Sequence, residues 1–241
     1  FLDENGEKIS KSKGNGLSLE EWLRYAPRES LSLYMYKNPQ RAKRLYFDII
    51  PKSVDEYTDH LGKFNTTKGK GDLENPVWHI HNGLPPKSKI GINFSMLLNL
   101  VSVCHTEDRN VLLGFINRYL PNLPKEKDTI ITQLLDCAIA YYQDFVKPNK
   151  RFKEPNEKEK KALTELEKKL TTLKEGTEAE EIQTIVYDVG KSHFDDLRGW
   201  FKSIYQILFG QEAGPRMGSF IVLYGIQETC ELINSALKRE N

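Results

Sequence analysis

The sequence has few cysteines and no long apolar segment. Its 241 residues include only Cys104, Cys137 and Cys230, which are widely separated and odd in number. Such cysteines are typical of reduced, buried thiols, which argues against a disulfide framework and against a zinc site. No apolar run approaches the roughly 20 residues that a membrane-spanning helix needs. We therefore expect a cytoplasmic protein with no metal site and no membrane contact.

The sequence also lacks a strong net charge of either sign, since its formal net charge is +1. Its 35 Lys and Arg residues balance 34 Asp and Glu residues, so only the distribution of charge can point to a nucleic-acid partner. The most strongly charged stretch is 147–176, which holds ten basic residues against six Glu. Two interpretations stay open for this stretch. It is either a pair of solvated helices with charges paired one turn apart, or an electrostatic footprint for phosphates.

Helical periodicity dominates the chain, and little of it alternates with period two, so the pattern predicts a mainly α fold. Gly62 to Pro86 is rich in Gly, Pro and Asn, which predicts a loop with one short helix. The first helix is predicted to enter at Leu19 and to stop at Pro27. The later helices are predicted at Ile92–Cys104, Glu107–Tyr119, Lys125–Val146, Glu157–Leu173, Glu178–Val189, Phe194–Phe209 and Arg216–Leu237, the last with a break near Gly225.

Three places carry the sequence of a helix N-terminal capping box, in which a Ser or Thr is followed three residues later by Glu. Each predicts the start of a helix. They are Ser18 with Glu21, Ser53 with Glu56, and Thr177 with Glu180.

A short loop near the start of the chain combines cations with hydroxyl groups. Lys8, Ser10, Lys11 and Ser12 lie between glycines at positions 6, 14 and 16. Ammonium groups suit the charge of a triphosphate, and hydroxyl groups add hydrogen-bond donors. Cations at the departing oxygens of pyrophosphate stabilise the transition state more than the ground state. The composition of the loop therefore favours nucleotide chemistry, although a Gly- and Ser-rich basic loop is often only solvated.

This loop, Lys8-Ile9-Ser10-Lys11-Ser12, resembles the Lys-Met-Ser-Lys-Ser signature of class I aminoacyl-tRNA synthetases. Ile9 replaces the usual Met, one apolar residue for another at a position that packs. Residues 1–7 are similar to the hairpin that presents the signature. Two further blocks resemble one branch of this class, the lysyl-tRNA synthetases. The first comprises residues 34–44, 47–51 and 55–57, and the second comprises residues 211–220 and 224–225.

The resemblance implies an activity for a longer parent enzyme, since this chain does not begin with Met. The parent joins lysine to ATP, with Mg²⁺, and then transfers the lysyl group to tRNA(Lys). Residues 1–17 would end its catalytic domain, 18–85 would contact the corner of the tRNA, and 86–241 would form an α-helix cage that binds the anticodon. Without the catalytic N-terminal domain, we expect this chain alone to bind no cofactor and to be inactive.

The resemblance also assigns roles to individual residues. Lys8 and Lys11 would be the catalytic cations, and Ser10 and Ser12 would join them in binding ATP. For tRNA, basic and planar side chains are the candidates, although a solvated helix face or a core position is the alternative for each. The tRNA candidates are Arg41, Lys43 and Arg44 at the corner, and Arg198, Trp200 and Arg216 at the anticodon, with Phe201 and Phe152 as weaker choices.

Some other interpretations carry less weight. His79-Ile80-His81-Asn82-Gly83 is superficially similar to the His-X-Gly-His signature of the class, but it follows the lysine loop instead of preceding it, so we expect neither ATP nor a metal there. A P-loop enzyme is excluded because no Gly-X4-Gly-Lys-Ser/Thr sequence is present. Two alternatives remain: the same region of another class I synthetase, such as glutamyl-tRNA synthetase, or a non-catalytic helical interaction scaffold.

Overall fold

The computed structural model describes residues 1–10, 12–66, 72–87, 91–104, 106–121, 130–174 and 176–239. Within these ranges the fold is mainly α, as predicted, and strand-like pairing is limited to isolated bridges at Leu2. The helices are α1 (Leu19–Tyr25), α2 (Arg28–Tyr36), α3 (Ile49–Thr66), α4 (Pro76–Ile80), α5 (Phe94–Cys104), α6 (Arg109–Tyr119), α7 (Ile130–Tyr141), α8 (Glu157–Thr171), α9 (Ala179–His193), α10 (Leu197–Ile204), α11 (Met217–Tyr224) and α12 (Ile226–Leu237).

Short helices of other types complete the described part. Turns of 3-10 helix lie at Asp72–Glu74 and Lys147–Asn149. π-Helical turns follow α7 at Tyr142–Val146 and α10 at Tyr205–Phe209. None of the helices in the described ranges is long and apolar enough to cross a membrane.

The chain divides into two compact units, and the first comprises residues 1–98 and 124–141. Its α2, α3 and α4 pack around Leu33, Tyr57, Leu61 and Val77, which are almost fully buried. The indole of Trp22 on α1 is also buried, stacks on Tyr34 and donates a hydrogen bond from Nε1 to the Ser30 hydroxyl at 3.1 Å. Apolar side chains spaced one helical turn apart therefore produce this core.

The second unit comprises residues 99–123 and 142–241. Helices α8, α9, α11 and α12 each bury an apolar stripe in a common core, with Leu166 and Val186 as fully buried examples. Gly218 on α11 allows a close approach to α9, because a Cβ atom there would lie 2.1 Å from the Ala179 carbonyl oxygen. The functional domains predicted from the sequence, 1–17, 18–85 and 86–241, are defined by role and stay a prediction.

The helix start signals have mixed outcomes. The capping box at Ser18 and Glu21 is confirmed, with both of its hydrogen bonds formed. The start predicted at Ser53 is wrong, because α3 begins one turn earlier and the Ser53 hydroxyl donates to the Ile49 carbonyl inside the helix. The capping box predicted at Thr177 is also wrong, since its hydroxyl donates to the Lys174 carbonyl instead. Such local bonds to the backbone compete with capping.

Other differences concern element bounds. The helix α2 follows Pro27 directly and was not predicted, and α3 extends to Thr66, into the segment predicted as loop. An unpredicted capping box starts α8, where Asn156 and Glu159 exchange two hydrogen bonds. In the charged stretch 147–176, several lysines pair with glutamates, for example Lys169 with Glu165 at 3.1 Å. This pairing supports the solvated-helix interpretation for α8.

Candidate functional site

The chain begins with a tight hairpin, as the sequence predicts. The Asp3 amide donates to the Glu7 carbonyl at 2.8 Å, and the Ile9 amide donates to the Phe1 carbonyl at 3.1 Å. Gly6 has a φ angle of +82°, which glycine adopts more readily than other residues, and it closes the turn. The hairpin thus delivers the chain to the cationic loop, which we define as residues 8–15.

The described residues of the cationic loop are held by side chains within it. The Ser10 and Ser12 hydroxyls lie 2.8 Å apart, and the Lys13 amide donates to the Ser10 hydroxyl at 3.3 Å. The carboxamide of Asn15 accepts from the Ser10 amide at 3.1 Å and donates to the Lys8 carbonyl at 3.3 Å. The structure therefore holds the Lys8 backbone and the Ser10 and Ser12 hydroxyls in one loop, and phosphate binding by this loop stays a prediction.

The structure describes only one of the two predicted cations of the loop. Lys11 lies outside the described residues. The side chain of Lys8 is exposed and has no hydrogen bond or ion pair within the described part of the chain. Lys13, by contrast, lies 3.4 Å from the Glu7 carboxylate. Lys8 is therefore available to an anion, whereas Lys13 already has a partner.

Ile9 has a packing role. A Cβ atom on Gly16 would lie 2.5 Å from Cδ1 of Ile9, so the Ile9 side chain fills the space that the glycine leaves. Gly16 also has a φ angle of +92°. The exchange of Met for Ile at this position therefore leaves an apolar contact in place.

The hairpin is joined to a basic segment, which we define as residues 37–44. The Leu2 amide donates to the Lys43 carbonyl at 2.8 Å, and the Leu45 amide donates to the Leu2 carbonyl at 2.8 Å. The Arg44 guanidinium reaches the Glu4 carbonyl at 3.5 Å. Backbone pairing thus fixes the end of the basic segment to the base of the cationic loop.

The three predicted corner residues have different environments. Arg41 is exposed and its side chain has no partner within the described ranges. Arg44 is also exposed, although it contacts the hairpin. Lys43 is not available in the same way, because its ammonium donates to the carbonyls of Tyr34 and Lys37 at the end of α2. Burial is the largest cause that lowers its pKa.

The assignment of Lys43 to tRNA is therefore corrected. Its ammonium also lies 4.9 Å from the centre of the Tyr34 ring. A cation at the C-terminal carbonyls of a helix complements the helix dipole and satisfies carbonyls that have no partner within the helix. Lys43 is thus a C-terminal cap of α2, and its charge faces the protein.

The assignment of Trp200 to tRNA is also corrected. Its side chain is fully buried, and Nε1 donates to the Val186 carbonyl at 2.9 Å. An indole without exposed surface cannot stack on a base in this conformation, so Trp200 is a core residue. Phe201 is partly buried against the same core.

The two predicted arginines of the second unit are at the surface. Arg198 is exposed and makes no hydrogen bond or ion pair within the described part of the chain. Arg216 is half-exposed, and its Nη1 donates to Oε1 of Glu180 at 2.7 Å in a two-pronged pair. Phosphate would have to compete with this carboxylate at Arg216, whereas Arg198 faces no such competitor.

The second unit also contains a pocket that the sequence did not indicate. Its volume is about 390 Å³, and we call it the amide pocket because carboxamides dominate its polar lining. The two π-helical turns at Tyr142–Val146 and Tyr205–Phe209 border it. Such turns often occur at functional sites. The lining residues are Phe145, Val146, Asn149, Arg151, Gln206, Gly210, Gln211 and Glu212.

The amide pocket has features suited to a planar polar ligand. The side-chain amide of Gln206 has no partner within the described residues. Gly210 has a φ angle of +68°, and a Cβ atom there would crowd the Arg151 amide at 3.3 Å. Close backbone approach at this glycine brings Arg151 and the exposed Phe152 to the edge of the pocket. The π-helical turns carry no signal that periodicity reveals, so sequence reasoning missed the pocket.

The histidines of the first unit have structural roles. His81 Nε2 lies 3.1 Å from the Tyr57 hydroxyl, and His79 Nε2 lies 2.8 Å from the Leu73 carbonyl. Among the described residues, no three His, Cys, Asp or Glu side chains are grouped to hold a metal ion. The three cysteines are free thiols.

Comparison with known proteins connects the two units to one family. Residues 1–84, which include the hairpin, the cationic loop and the basic segment, match the family described as tRNA synthetases class I (K). A lysine–tRNA ligase of Rickettsia peacockii (strain Rustic) is 50% identical over 240 residues, which are 98% of this chain and 46% of that protein. These matches fit a fragment of a class I lysyl-tRNA synthetase.

Other lysyl-tRNA synthetases give the same result. The lysine–tRNA ligases of Rickettsia bellii (strain OSU 85-389) and Roseobacter denitrificans (strain ATCC 33942 / OCh 114) are 51% and 49% identical. They match 98% and 100% of this chain. The chain spans about half the length of these relatives, 46% in each case. The matched region includes the amide pocket as well as the cationic loop. Both relatives carry the name lysine–tRNA ligase.

Proposed function

We propose that this chain is the tRNA-binding part of a lysine–tRNA ligase. The longer protein would convert ATP, L-lysine and tRNA(Lys) to lysyl-tRNA(Lys), AMP and diphosphate. The supporting observation is the joining of an exposed, hydroxyl-flanked Lys8 to a basic segment with exposed arginines through the hairpin. The likeness to lysine–tRNA ligases along both units supports the choice of amino acid. We place this ligase and its tRNA partner in the cytoplasm.

The cationic loop would act in the first step. A carboxylate oxygen of lysine attacks the α-phosphorus of ATP, and the bond from that phosphorus to the pyrophosphate oxygen breaks. Negative charge then grows on the departing pyrophosphate. We assign Lys8 and Lys11 to neutralise this charge, and Ser10 and Ser12 to donate hydrogen bonds to it. ATP would bring its Mg²⁺, whose protein ligands we place outside the described residues.

Two lysines of the same loop provide the test of this assignment. In the intact ligase, Lys8→Ala is expected to slow lysine-dependent ATP–pyrophosphate exchange about 100- to 1000-fold, the usual effect of removing one transition-state donor. Lys13→Ala is the matched control, because Lys13 is equally exposed but paired with Glu7. It should leave exchange within about threefold of wild type, since an exposed pair contributes little. Equal loss in both variants would contradict the assignment.

The basic segment would bind the corner of the tRNA. Arg41 and Arg44 are exposed next to the hairpin, so phosphates that they contact would lie close to the cationic loop. Removing a phosphate contact weakens binding and reduces its salt dependence by about one unit of slope. Arg41→Ala should therefore bind tRNA(Lys) more weakly. The logarithm of its binding constant should also fall less steeply with the logarithm of the salt concentration.

Lys43→Met is the control for this experiment. Its ammonium caps α2 and faces Tyr34 and Lys37, so its removal should lower the free energy of unfolding without changing the salt slope. Filter binding at several salt concentrations measures the slope, and urea unfolding measures stability. A salt slope that falls for Lys43→Met but not for Arg41→Ala would overturn the assignment.

The second unit would bind the anticodon. Single-stranded bases are recognised through their polar edges and through stacking on planar side chains. The amide pocket offers the side-chain amide of Gln206 for a base edge, while Phe152 and Arg151 offer planar groups at its rim. Arg198 and Arg216 would contact the neighbouring phosphates. The chain alone would then bind tRNA(Lys) but form no lysyl-adenylate, because lysine and adenine need the rest of the enzyme.

A further inference from the structure

The cationic loop depends on a polar side chain that lies behind it. Asn15 makes three hydrogen bonds: its oxygen accepts from the Ser10 amide at 3.1 Å, and its nitrogen donates to the Lys8 carbonyl at 3.3 Å and to the Asp3 carboxylate at 2.8 Å. Two of these bonds hold the residues on either side of Ile9. One carboxamide therefore fixes the backbone from which both Lys8 and Ser10 project.

Asp3 holds Asn15 in turn. The residue is only 7% exposed, and its Oδ1 accepts hydrogen bonds from the Asn5 amide at 3.0 Å and the Glu7 amide at 2.8 Å. Its other oxygen, Oδ2, receives the Asn15 amide. The hydrogen bond from Asn15 is the largest cause that lowers the pKa of Asp3, so the carboxylate is ionised at neutral pH. Charge-assisted bonds of this kind are about twice as strong as neutral ones.

The Asp3–Asn15 pair thus ties the hairpin to the far end of the loop. The loop returns to the hairpin at Gly16, where Ile9 packs with no room for a Cβ atom. Every side-chain oxygen and nitrogen of Asp3 and Asn15 takes part in a hydrogen bond within the protein. Their atoms are used within the protein, which distinguishes them from groups that contact a substrate.

We propose that Asn15, oriented by Asp3, is a positioning residue that sets Lys8 and Ser10 for the departure of pyrophosphate. The inference rests on the proposed function, because it needs the loop to act on ATP. Displacement of a catalytic group by about 1 Å costs about 100-fold in rate. Loss of the Asn15 bonds should therefore slow adenylate formation without removing any group that touches ATP.

The test compares variants of the intact ligase. Asn15→Ala should reduce kcat for lysine-dependent ATP–pyrophosphate exchange about 10- to 100-fold, with the KM for lysine unchanged. Transfer of lysine from preformed lysyl-adenylate to tRNA(Lys) should proceed at the wild-type rate, because pyrophosphate has already left. A purely structural role would reduce both steps together. Asn5→Ala is the matched control, since only the backbone amide of Asn5 is used.

An exchange of the two side chains provides a second test. Asn15→Asp alone places two carboxylates together and should reduce exchange at least as much as Asn15→Ala. The double variant Asp3→Asn with Asn15→Asp restores the hydrogen bond between positions 3 and 15 with donor and acceptor exchanged, although not the donor to the Lys8 carbonyl, so it should recover part of the lost rate. Recovery of exchange by the double variant supports the positioning role, and failure of the double variant to exceed Asn15→Asp overturns it.

The outcomes for the two proposals are separable. If wild-type protein fails to catalyse lysine-dependent exchange, the proposed function is wrong. If the wild type and Asn5→Ala catalyse exchange and Asn15→Ala equals them, the proposed function survives and the positioning role is overturned. A loss of both exchange and transfer in Asn15→Ala, with a lowered melting temperature, also overturns the positioning role.

Discussion

Replacement of Gly218 by alanine should destabilise the second unit. The added Cβ atom would lie 2.1 Å from the Ala179 carbonyl oxygen and 2.9 Å from the Gln183 amide nitrogen. Both are backbone atoms of α9. An ordinary contact is about 3.5 Å or more. Backbone atoms cannot move aside as the end of a side chain can, so α11 itself must shift away from α9.

The magnitude follows from two opposing terms. Overpacking in a dense core costs about 1–3 kcal/mol, and the backbone contact favours the upper end of this range. Alanine in a helix gains at most about 1 kcal/mol over glycine. The net loss is therefore about 2 kcal/mol, which lowers the melting temperature of a chain of this size by about 4–8 °C.

Gly114 offers a matched control in the same unit. It is a helical glycine of α6, and a Cβ atom there meets nothing within 4 Å. Gly114→Ala should therefore raise stability by about 0.5–1 kcal/mol, since only the helix term remains. Urea unfolding followed by circular dichroism measures both variants. If Gly218→Ala proves as stable as the wild type or more so, the close approach of α11 to α9 is refuted.

Three further predictions concern the second unit. Trp200→Ala should lower the free energy of unfolding measured in urea by about 3–5 kcal/mol, because removal of the buried indole leaves a cavity. Unchanged stability together with lost tRNA binding would return Trp200 to the RNA-binding candidates. Burial lowers the pKa of Lys150 from 10.5 to about 8, so the unfolded chain binds the extra proton between these values and stability should rise with pH across that window. Lys150→Leu should remove this rise in urea unfolding at pH values near the two limits, and an identical pH dependence in both proteins would contradict the burial of the ammonium. Gln206→Ala should weaken binding of tRNA(Lys) about 5- to 100-fold, while binding of a tRNA with altered anticodon bases should hardly change. The control is Gln227→Ala, because the Gln227 amide bonds to Glu231 on the surface of α12, and this variant should bind both tRNAs as the wild type does. Equal effects of the two substitutions would exclude a base in the amide pocket.

The sequence predicts helices well where apolar spacing and local caps agree. Ser18 with Glu21 precedes an apolar run directly, and the capping box forms as predicted. Ser53 with Glu56 has the same letters, but Ile49 and Ile50 extend the apolar face backwards, so Ser53 lies inside α3. A three-residue motif is local, whereas the start of a helix depends on what its whole face can bury.

The site is harder to predict than the fold. Lys8, Ser10 and Ser12 lie together because they are neighbours in the chain, so their clustering follows from the sequence. Lys43 and Trp200 have side chains whose chemistry suits RNA, but tertiary contacts occupy them. Whether a lysine points at carbonyls or at solvent depends on the path of distant backbone, which spacing does not encode. The amide pocket depends in the same way on two segments that are remote in sequence.

The pairing of Leu2 with Lys43 and Leu45 has a mechanical consequence. These hydrogen bonds close a ring of about forty residues, and they make the strand-like stretch at residues 43–45 and the opening hairpin move as one piece. In the proposed ligase, a displacement of Arg41 on tRNA binding would therefore be passed along the backbone and two hydrogen bonds to the hairpin that supports Lys8. Docking of the tRNA corner and placement of the proposed ATP-binding ammonium would then depend on the same backbone pairing.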